Sequence, residues 1–102
     1  MVLHILLTGG ARGIGRGLFR HLLQAGHSVV MLDSNISELE HVRTLAEKWA
    51  ATSEAKWTAI ECDFGKRSAI KEAVATVKLQ HFNGQLDVLI NNAFPTDLTL
   101  SE

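Results

Sequence analysis

Several residue types are absent or scarce in this chain, and each shortage excludes a class of protein. The 102 residues include no tyrosine, one cysteine and one proline. Because Cys62 has no partner within the chain, an internal disulfide framework is excluded, and a reducing compartment, the cytoplasm, is expected. No apolar run is long enough for a transmembrane helix, and the first residues lack the pattern of a secretory signal, so we expect no membrane partner.

The charge of the chain is close to balanced. Lysine and arginine total 10, aspartate and glutamate total 11, and the formal net charge is −1. This balance gives no electrostatic reason to expect nucleic acid as a partner. The five histidines lack the spacing of metal ligands, so we expect no metal site. A chain of this length forms one domain at most, residues 1–102.

Short apolar runs alternate with segments of helical periodicity along the chain. The pattern predicts strands over 2–7, 28–32, 57–61 and 86–90, helices over 13–25 and 36–51, and a third helix ending near 82–84. Such alternation is typical of an α/β fold, a Rossmann-type doubly wound parallel sheet in three αβα layers. Right-handed crossovers then favour the strand order 3-2-1-4.

The fourth predicted strand would leave an apolar edge on this sheet. An exposed apolar edge favours aggregation, so natural sheets are usually covered there. We therefore expect the fold to be incomplete within these residues. They are interpreted as the N-terminal portion of a larger protein or as a truncated product.

A glycine-rich turn, residues 8–15 (TGGARGIG), follows the first strand and opens the first helix. Gly9 allows the chain to turn sharply, and Gly13 and Gly15 allow the backbone to approach a pyrophosphate. Glycine turns also simply connect strands to helices. In this context, however, the order of strand, turn and helix favours a nucleotide-binding site.

The sequence also predicts how two further residues of this region pack. Ile14, between the last two glycines, is expected to place its side chain in the core. Gly17 lies inside the helix, where glycine is unfavourable by about 1 kcal/mol relative to alanine. We therefore expect the helix and a strand to approach closely at Gly17.

Asp33 follows the second strand and is a candidate for cofactor selection. A carboxylate there can accept hydrogen bonds from both ribose hydroxyls of NAD, and it would repel the additional phosphate of NADP. The alternative is that Asp33 only caps the following turn, a role for which aspartate is well suited.

Together these motifs resemble one family. The turn at 8–15, Asp33, residues 62–64 (Cys-Asp-Phe) and residues 91–93 (Asn-Asn-Ala) are similar to the short-chain dehydrogenase/reductase family. The resemblance covers essentially the whole chain and corresponds to the first part of a family member. It implies a Rossmann-type fold and a nicotinamide dinucleotide cofactor.

The resemblance also implies roles for particular residues. The glycine turn would line the pyrophosphate and the adenosine ribose. Asp63 would accept from the adenine amino group, Phe64 would offer a backbone contact, and Asn91 and Ala93 would lie along the cofactor. Thr8 would tie the turn to the loop after the fourth strand. The implied cofactor-binding residues are Gly9, Arg12, Gly13, Ile14, Gly15, Asp33, Asp63, Phe64, Asn91 and Ala93.

The choice between NAD and NADP depends on two side chains of opposite charge. Arg12 is a basic residue in the turn, and such a residue often accompanies NADP in this family. A short-range clash at Asp33 should outweigh a mobile arginine, so NAD is expected and NADP is the alternative. Phe94 stands where the family usually has glycine, which puts the close backbone approach there in doubt.

The expected activity is hydride transfer between NAD and an alcohol or ketone substrate. In the family, a serine and a Tyr-x-x-x-Lys pair perform the chemistry, in proteins that are generally homo-oligomers. None of those positions is in this chain, so the 102 residues alone are expected to have no catalytic residues and no activity. The alternatives are a non-catalytic dinucleotide-binding module and, more weakly, a receiver-like or flavodoxin-like domain.

Overall fold

The chain folds into a parallel sheet with helices on both faces. The computed structural model describes residues 1–11, 13–53 and 55–92. The helix Arg67–Thr76 continues into a π-helical segment, Val77–His81. The elements in chain order are β1 (His4–Thr8), α1 (Gly13–Gln24), β2 (Ser28–Asp33), α2 (Ile36–Ala50), β3 (Trp57–Glu61), α3 (Arg67–Thr76) and β4 (Val88–Asn91).

The order of the strands is β3-β2-β1-β4, and all three pairings are parallel. This confirms the predicted α/β Rossmann-type fold and its strand order. Thr8 lies opposite Leu32 on one side and opposite Asn91 on the other, and Asp33 lies opposite Glu61. The carboxyl ends of all four strands therefore meet at one edge of the sheet, where ligands of open α/β sheets usually bind.

Alternate side chains of β1 and β2 enter two separate cores, because successive strand residues point to opposite faces. One face packs against α1 and α2, and the other packs against α3 and the π-helical segment. The first core includes Ile5, Leu7, Phe19, Leu23, Val29, Met31, Leu39, Val42 and Ala46, and the second includes Leu6, Val30, Leu32, Cys62, Val77 and Phe82. Both faces are covered, which explains why β1 and β2 are continuous apolar runs.

The element boundaries differ from the prediction by one or two residues. The first strand begins at His4 rather than at residue 2, because pairing with β2 starts at His4 and Ser28. The fourth strand begins at Val88 rather than at residue 86. Among the described residues β4 pairs with β1 alone, and its Leu89 is 57% exposed. None of the described helices is long and apolar enough to cross a membrane.

Phe19 is the aromatic centre of the first core. Its side chain is fully buried on α1, and its ring contacts Trp49 and Trp57 edge-to-face with centroids 6.4 Å apart in both pairs. Such pairs contribute about 0.5–1.5 kcal/mol beyond the burial of area. Phe19 therefore joins α1 to both α2 and β3.

Replacement of this ring should have a large effect on stability. We expect Phe19→Ala to lower the free energy of unfolding by about 3–5 kcal/mol, because the cavity cannot close fully. Leu79→Ala is the matched control, since Leu79 is 78% exposed and should change stability by less than about 0.5 kcal/mol. Urea denaturation measures both. Equal effects of the two variants would contradict the packing described above.

A second set of contacts fastens the start of β4 to β1. Asp87 Oδ2 accepts from the His4 backbone N–H at 2.8 Å and lies 3.1 Å from His4 Nδ1. The backbone N–H of Asp87 donates in turn to the His4 carbonyl. The bond from the His4 backbone is the main reason that the pKa of Asp87 is lowered, with a further contribution from the His4 side chain.

The lowered pKa of Asp87 predicts a dependence of stability on pH. Its contribution is present above the ordinary aspartate pKa of about 3.9 and is lost as the pH falls through the lower value in the folded protein. We expect Asp87→Asn to lower the melting temperature at pH 7, and the difference from the unmodified protein to shrink below about pH 4. Melting curves from pH 7 downwards test this. A difference that stays constant at acid pH would contradict it.

Candidate functional site

Two buried polar side chains mark the carboxyl edge of the sheet. Thr8 ends β1 and Asp33 ends β2, and each is 8% exposed. Burial of a polar group lowers the stability of the fold unless the group is hydrogen-bonded. The hydrogen-bond partners of Thr8 and Asp33 therefore constrain how the chain is arranged around them. The partners of Thr8 lie at the end of β4, and those of Asp33 lie in the glycine-rich turn and at the start of α2.

Thr8 connects the turn to the end of β4. Its hydroxyl donates to Asn91 Oδ1 at 2.9 Å and accepts from the Asn92 backbone N–H at 3.1 Å. Asn92 then donates from Nδ2 to the Gly9 carbonyl at 3.0 Å. These three bonds confirm the predicted tie between Thr8 and the residues after the fourth strand.

The glycines of the turn have different physical roles. Gly9 and Gly13 have φ of 74° and 62°, in the left-handed region that favours glycine. A Cβ at Gly15 would collide with the Gly9 carbonyl and with the Asn92 side chain, and a Cβ at Gly10 would collide with Met31. At Gly13 a Cβ would have nothing within 4 Å among the residues that the structure describes. Gly10 and Gly15 are therefore needed for packing, whereas Gly13 faces open space.

Two sequence predictions about this region are wrong. Ile14 is 80% exposed rather than in the core, because the buried stripe of α1 runs through Gly15, Phe19 and Leu23, beside Ile14. Gly17 has open space around it rather than a close strand. The close approaches are at Gly10 and Gly15, and the packing role of Gly10 was missed although the adjacent glycine pair indicated a tight turn.

Asp33 joins the turn to the start of α2. Its Oδ2 accepts from the Ala11 backbone N–H and its Oδ1 accepts from the Asn35 backbone N–H, both at 3.0 Å. The alternative role of Asp33, capping of the turn after β2, is therefore present, and the ribose contact stays a prediction. A carboxylate has about four acceptor positions, so these two bonds leave capacity for a ligand hydroxyl.

Residues 62–64, which directly follow β3, lie at the same edge of the sheet. The Cys62 backbone N–H donates to the Asp33 carbonyl, so this segment lies beside the end of β2. Burial, assisted by the charge of Asp63, raises the pKa of the Cys62 thiol, which disfavours the reactive thiolate form. The Asp63 side chain is exposed and accepts from the Gly65 backbone N–H, and Phe64 packs against the second core.

Some predicted site residues lie outside the described part of the chain. These are Arg12 and Ala93, together with Phe94. Residues 1–11, 13–53 and 55–92 contain no group of three histidine, cysteine, aspartate or glutamate side chains placed to hold a metal ion.

Comparison with known proteins agrees with this geometry. Residues 3–98 match the family model described as short chain dehydrogenase. The chain belongs to the short-chain dehydrogenase/reductase family. Members of this family are oxidoreductases that use NAD or NADP.

Two curated relatives and one solved structure illustrate the similarity. Fluoren-9-ol dehydrogenase of Terrabacter sp. (strain DBF63) is 36% identical over 94% of this chain and 25% of its own length. The 15-hydroxyprostaglandin dehydrogenase (NAD(+)) of Macaca fascicularis is 35% identical over 86% of this chain and 32% of its own. A short-chain type dehydrogenase/reductase from Mycobacterium ulcerans superposes with a TM-score of 0.81 and 26% identity, over 93% of this chain and 34% of its own.

The chain therefore spans about a quarter to a third of the length of these relatives. The matched range covers the four strands, the glycine turn and all ten residues that the family resemblance assigned to the cofactor.

The tie made by Thr8 can be tested by removal of its hydroxyl alone. We expect Thr8→Val to lower the free energy of unfolding by about 1–3 kcal/mol, because the Asn91 and Asn92 groups lose a buried partner while the shape is kept. Thr8→Ser keeps the hydroxyl and should be close to the unmodified protein. Denaturant titration measures the free energy of unfolding of both variants. A serine variant as unstable as the valine variant would contradict the role of the hydroxyl.

Proposed function

We propose that this chain supplies the cofactor-binding part of an oxidoreductase that transfers hydride between NAD and an alcohol or ketone. The observation that carries the proposal is the contact between the glycine turn and a buried carboxylate. The Ala11 backbone N–H donates to Asp33 Oδ2, and this contact supports the proposal that a ribose and a pyrophosphate bind side by side.

The start of α1 is suited to an anion. The first turn of α1 contains no acidic side chain, and Gly13 has open space where a Cβ would be. The N-terminus of a helix carries a partial positive charge and unpaired N–H groups, which bind phosphates. A pyrophosphate is therefore the ligand that we assign to Gly9, Gly13, Ile14 and Gly15.

NAD is proposed over NADP because of Asp33. Its carboxylate can accept from ribose hydroxyls, whereas an additional phosphate would be repelled at short range. The relative from Macaca fascicularis carries NAD(+) in its name, which is consistent with this choice. Roles for Arg12, Asp63 and Phe64, and for Asn91 and Ala93, are proposed as the family resemblance implies.

The residues that perform hydride transfer in this family are proposed to lie elsewhere. The chain has no tyrosine, so the usual proton donor is absent from these 102 residues. We infer that they bind the cofactor without turning it over. The same absence favours the second candidate, a dinucleotide-binding module without catalysis. A homo-oligomeric state and a cytoplasmic location stay predictions.

The proposal is tested by calorimetric titration with NAD and with NADP. We expect NAD to bind more tightly than NADP, and Asp33→Asn to reduce that preference about tenfold, since hydrogen bonds to charged groups contribute about 1.5–3 kcal/mol. Asparagine is chosen over alanine because it keeps one acceptor oxygen for the turn. The control is Glu40→Gln, which removes an exposed charge on α2.

Two results would contradict the proposal. Binding of neither dinucleotide by the unmodified chain would remove the cofactor-binding function. Unchanged affinities in Asp33→Asn, with both dinucleotides bound, would remove the assignment of Asp33 as the residue that selects NAD.

A further inference from the structure

Five hydrogen bonds form a closed ring between the glycine turn and the first turn of α2. Asp33 Oδ2 accepts from the Ala11 N–H at 3.0 Å, and the Ala11 carbonyl accepts from Arg16 Nε at 2.9 Å. Arg16 Nη2 donates to Glu38 Oε2 at 2.8 Å. The Glu38 backbone N–H donates to Asn35 Oδ1, and the Asn35 backbone N–H donates to Asp33 Oδ1, both at 3.0 Å. The last of these bonds closes the ring at Asp33.

Ala11 is the residue that this ring holds most completely. It is fully buried, it precedes α1, and side chains of opposite charge bind both of its backbone groups. Hydrogen bonds of this kind, in which one partner is charged, are shorter and stronger than neutral ones. The orientation of Ala11 therefore depends on Asp33 and Arg16.

Other described contacts fix the two sides of the turn. Gly10 is fixed by its packing on Met31, and Gly15 is fixed against Gly9 and Asn92. Gly13 has open space where a Cβ would be. The ring at Ala11 is thus the described anchor on the strand side of the open part of the turn, where we propose that the pyrophosphate binds.

Arginine is the side chain that this geometry requires at position 16. Its Nε and Nη2 reach two different acceptors, the Ala11 carbonyl on the turn and Glu38 on α2. A lysine has a single nitrogen at the end of a flexible chain and lacks the rigid fork of the guanidinium. Lysine therefore keeps the charge but loses one of the two contacts.

We propose that Arg16 is a positioning residue for the dinucleotide. It holds Ala11, and with it the phosphate-binding turn, in the conformation that accepts a pyrophosphate, without contact with the ligand. Glu38 acts through Arg16 and fixes its guanidinium. This inference rests on the proposed function. A turn that is already ordered loses less entropy when the ligand binds, so loss of the ring should weaken binding.

The test compares ligands with and without a pyrophosphate. We expect Arg16→Lys to raise the Kd of ADP and of NAD about tenfold. The Kd of adenosine should stay within about twofold, because adenosine has no pyrophosphate for the turn to hold. Calorimetry measures ADP and NAD, and NMR titration measures adenosine.

Variants of Glu38 provide a second measurement that does not depend on Arg16→Lys folding. Glu38→Ala removes the acceptor and should weaken ADP binding about as much as Arg16→Lys. Glu38→Gln keeps an acceptor oxygen and should restore most of the affinity. The Glu38 backbone N–H still binds Asn35 in both variants, so the start of α2 is kept.

Arg20→Lys is the matched control on the same helix. The Arg20 guanidinium lies over the Trp49 ring, 5.9 Å from its centroid, and takes no part in the ring of hydrogen bonds. Its ADP affinity should equal that of the unmodified chain. Melting temperatures of all variants are measured alongside.

The outcomes separate this inference from the proposed function. If the unmodified chain binds neither ADP nor NAD, the proposed function fails and the inference fails with it. If the unmodified chain binds both ligands, and Arg16→Lys and Glu38→Ala bind ADP as tightly as the unmodified chain does, only the positioning role is overturned. A parallel loss of adenosine and ADP affinity would also overturn it, because that result indicates general damage to the fold.

Discussion

The burial of Thr8 and Asp33 at the carboxyl ends of adjacent strands is the constraint on which the site depends. An unpaired polar group in such a position would be costly, so each side chain must find partners close by. Thr8 finds them at the end of β4, and Asp33 finds them in the glycine turn and at the start of α2. Stability and the shape of the candidate site therefore come from the same hydrogen bonds.

This arrangement gives Asp33 two tasks. It stabilises the turn through Ala11 and Asn35, and its carboxylate keeps acceptor capacity for the ribose that we propose. Under the proposed function, a change at Asp33 affects both folding and cofactor choice. The ratio of NAD and NADP affinities separates the two effects, because general destabilisation alters both affinities alike.

The fold was predictable because periodicity and chirality constrain it strongly. Four apolar runs separated by helices require parallel pairing, and right-handed crossovers leave the order that is observed. The tie between Thr8 and Asn91 also followed from the family resemblance. Boundaries such as the start of β1 depend on pairing partners, which periodicity alone does not give.

Individual side chains in the turn were harder to predict. Ile14 is apolar but exposed. The buried face of α1 begins at Gly15, and the side chain of Ile14 lies outside that face. A Cβ would collide with neighbouring atoms at Gly10 and Gly15 but not at Gly17. The colliding atoms belong to Met31, Gly9 and Asn92, which are not evident from the local sequence. The contact of Arg16 with Glu38 joins two different helices, so no local pattern indicates it.

The most direct test of the account is a titration of the ¹⁵N-labelled chain with NAD, followed by the amide chemical shifts. The account predicts saturable changes that are largest at residues 9–15 and 33–35, where the turn and Asp33 meet. Smaller changes should occur at residues 63–64 and 91–92. Saturable binding that shifts only amides at the opposite end of the strands, around Trp57 and Phe82, would contradict it, as would the absence of any shift at saturating NAD.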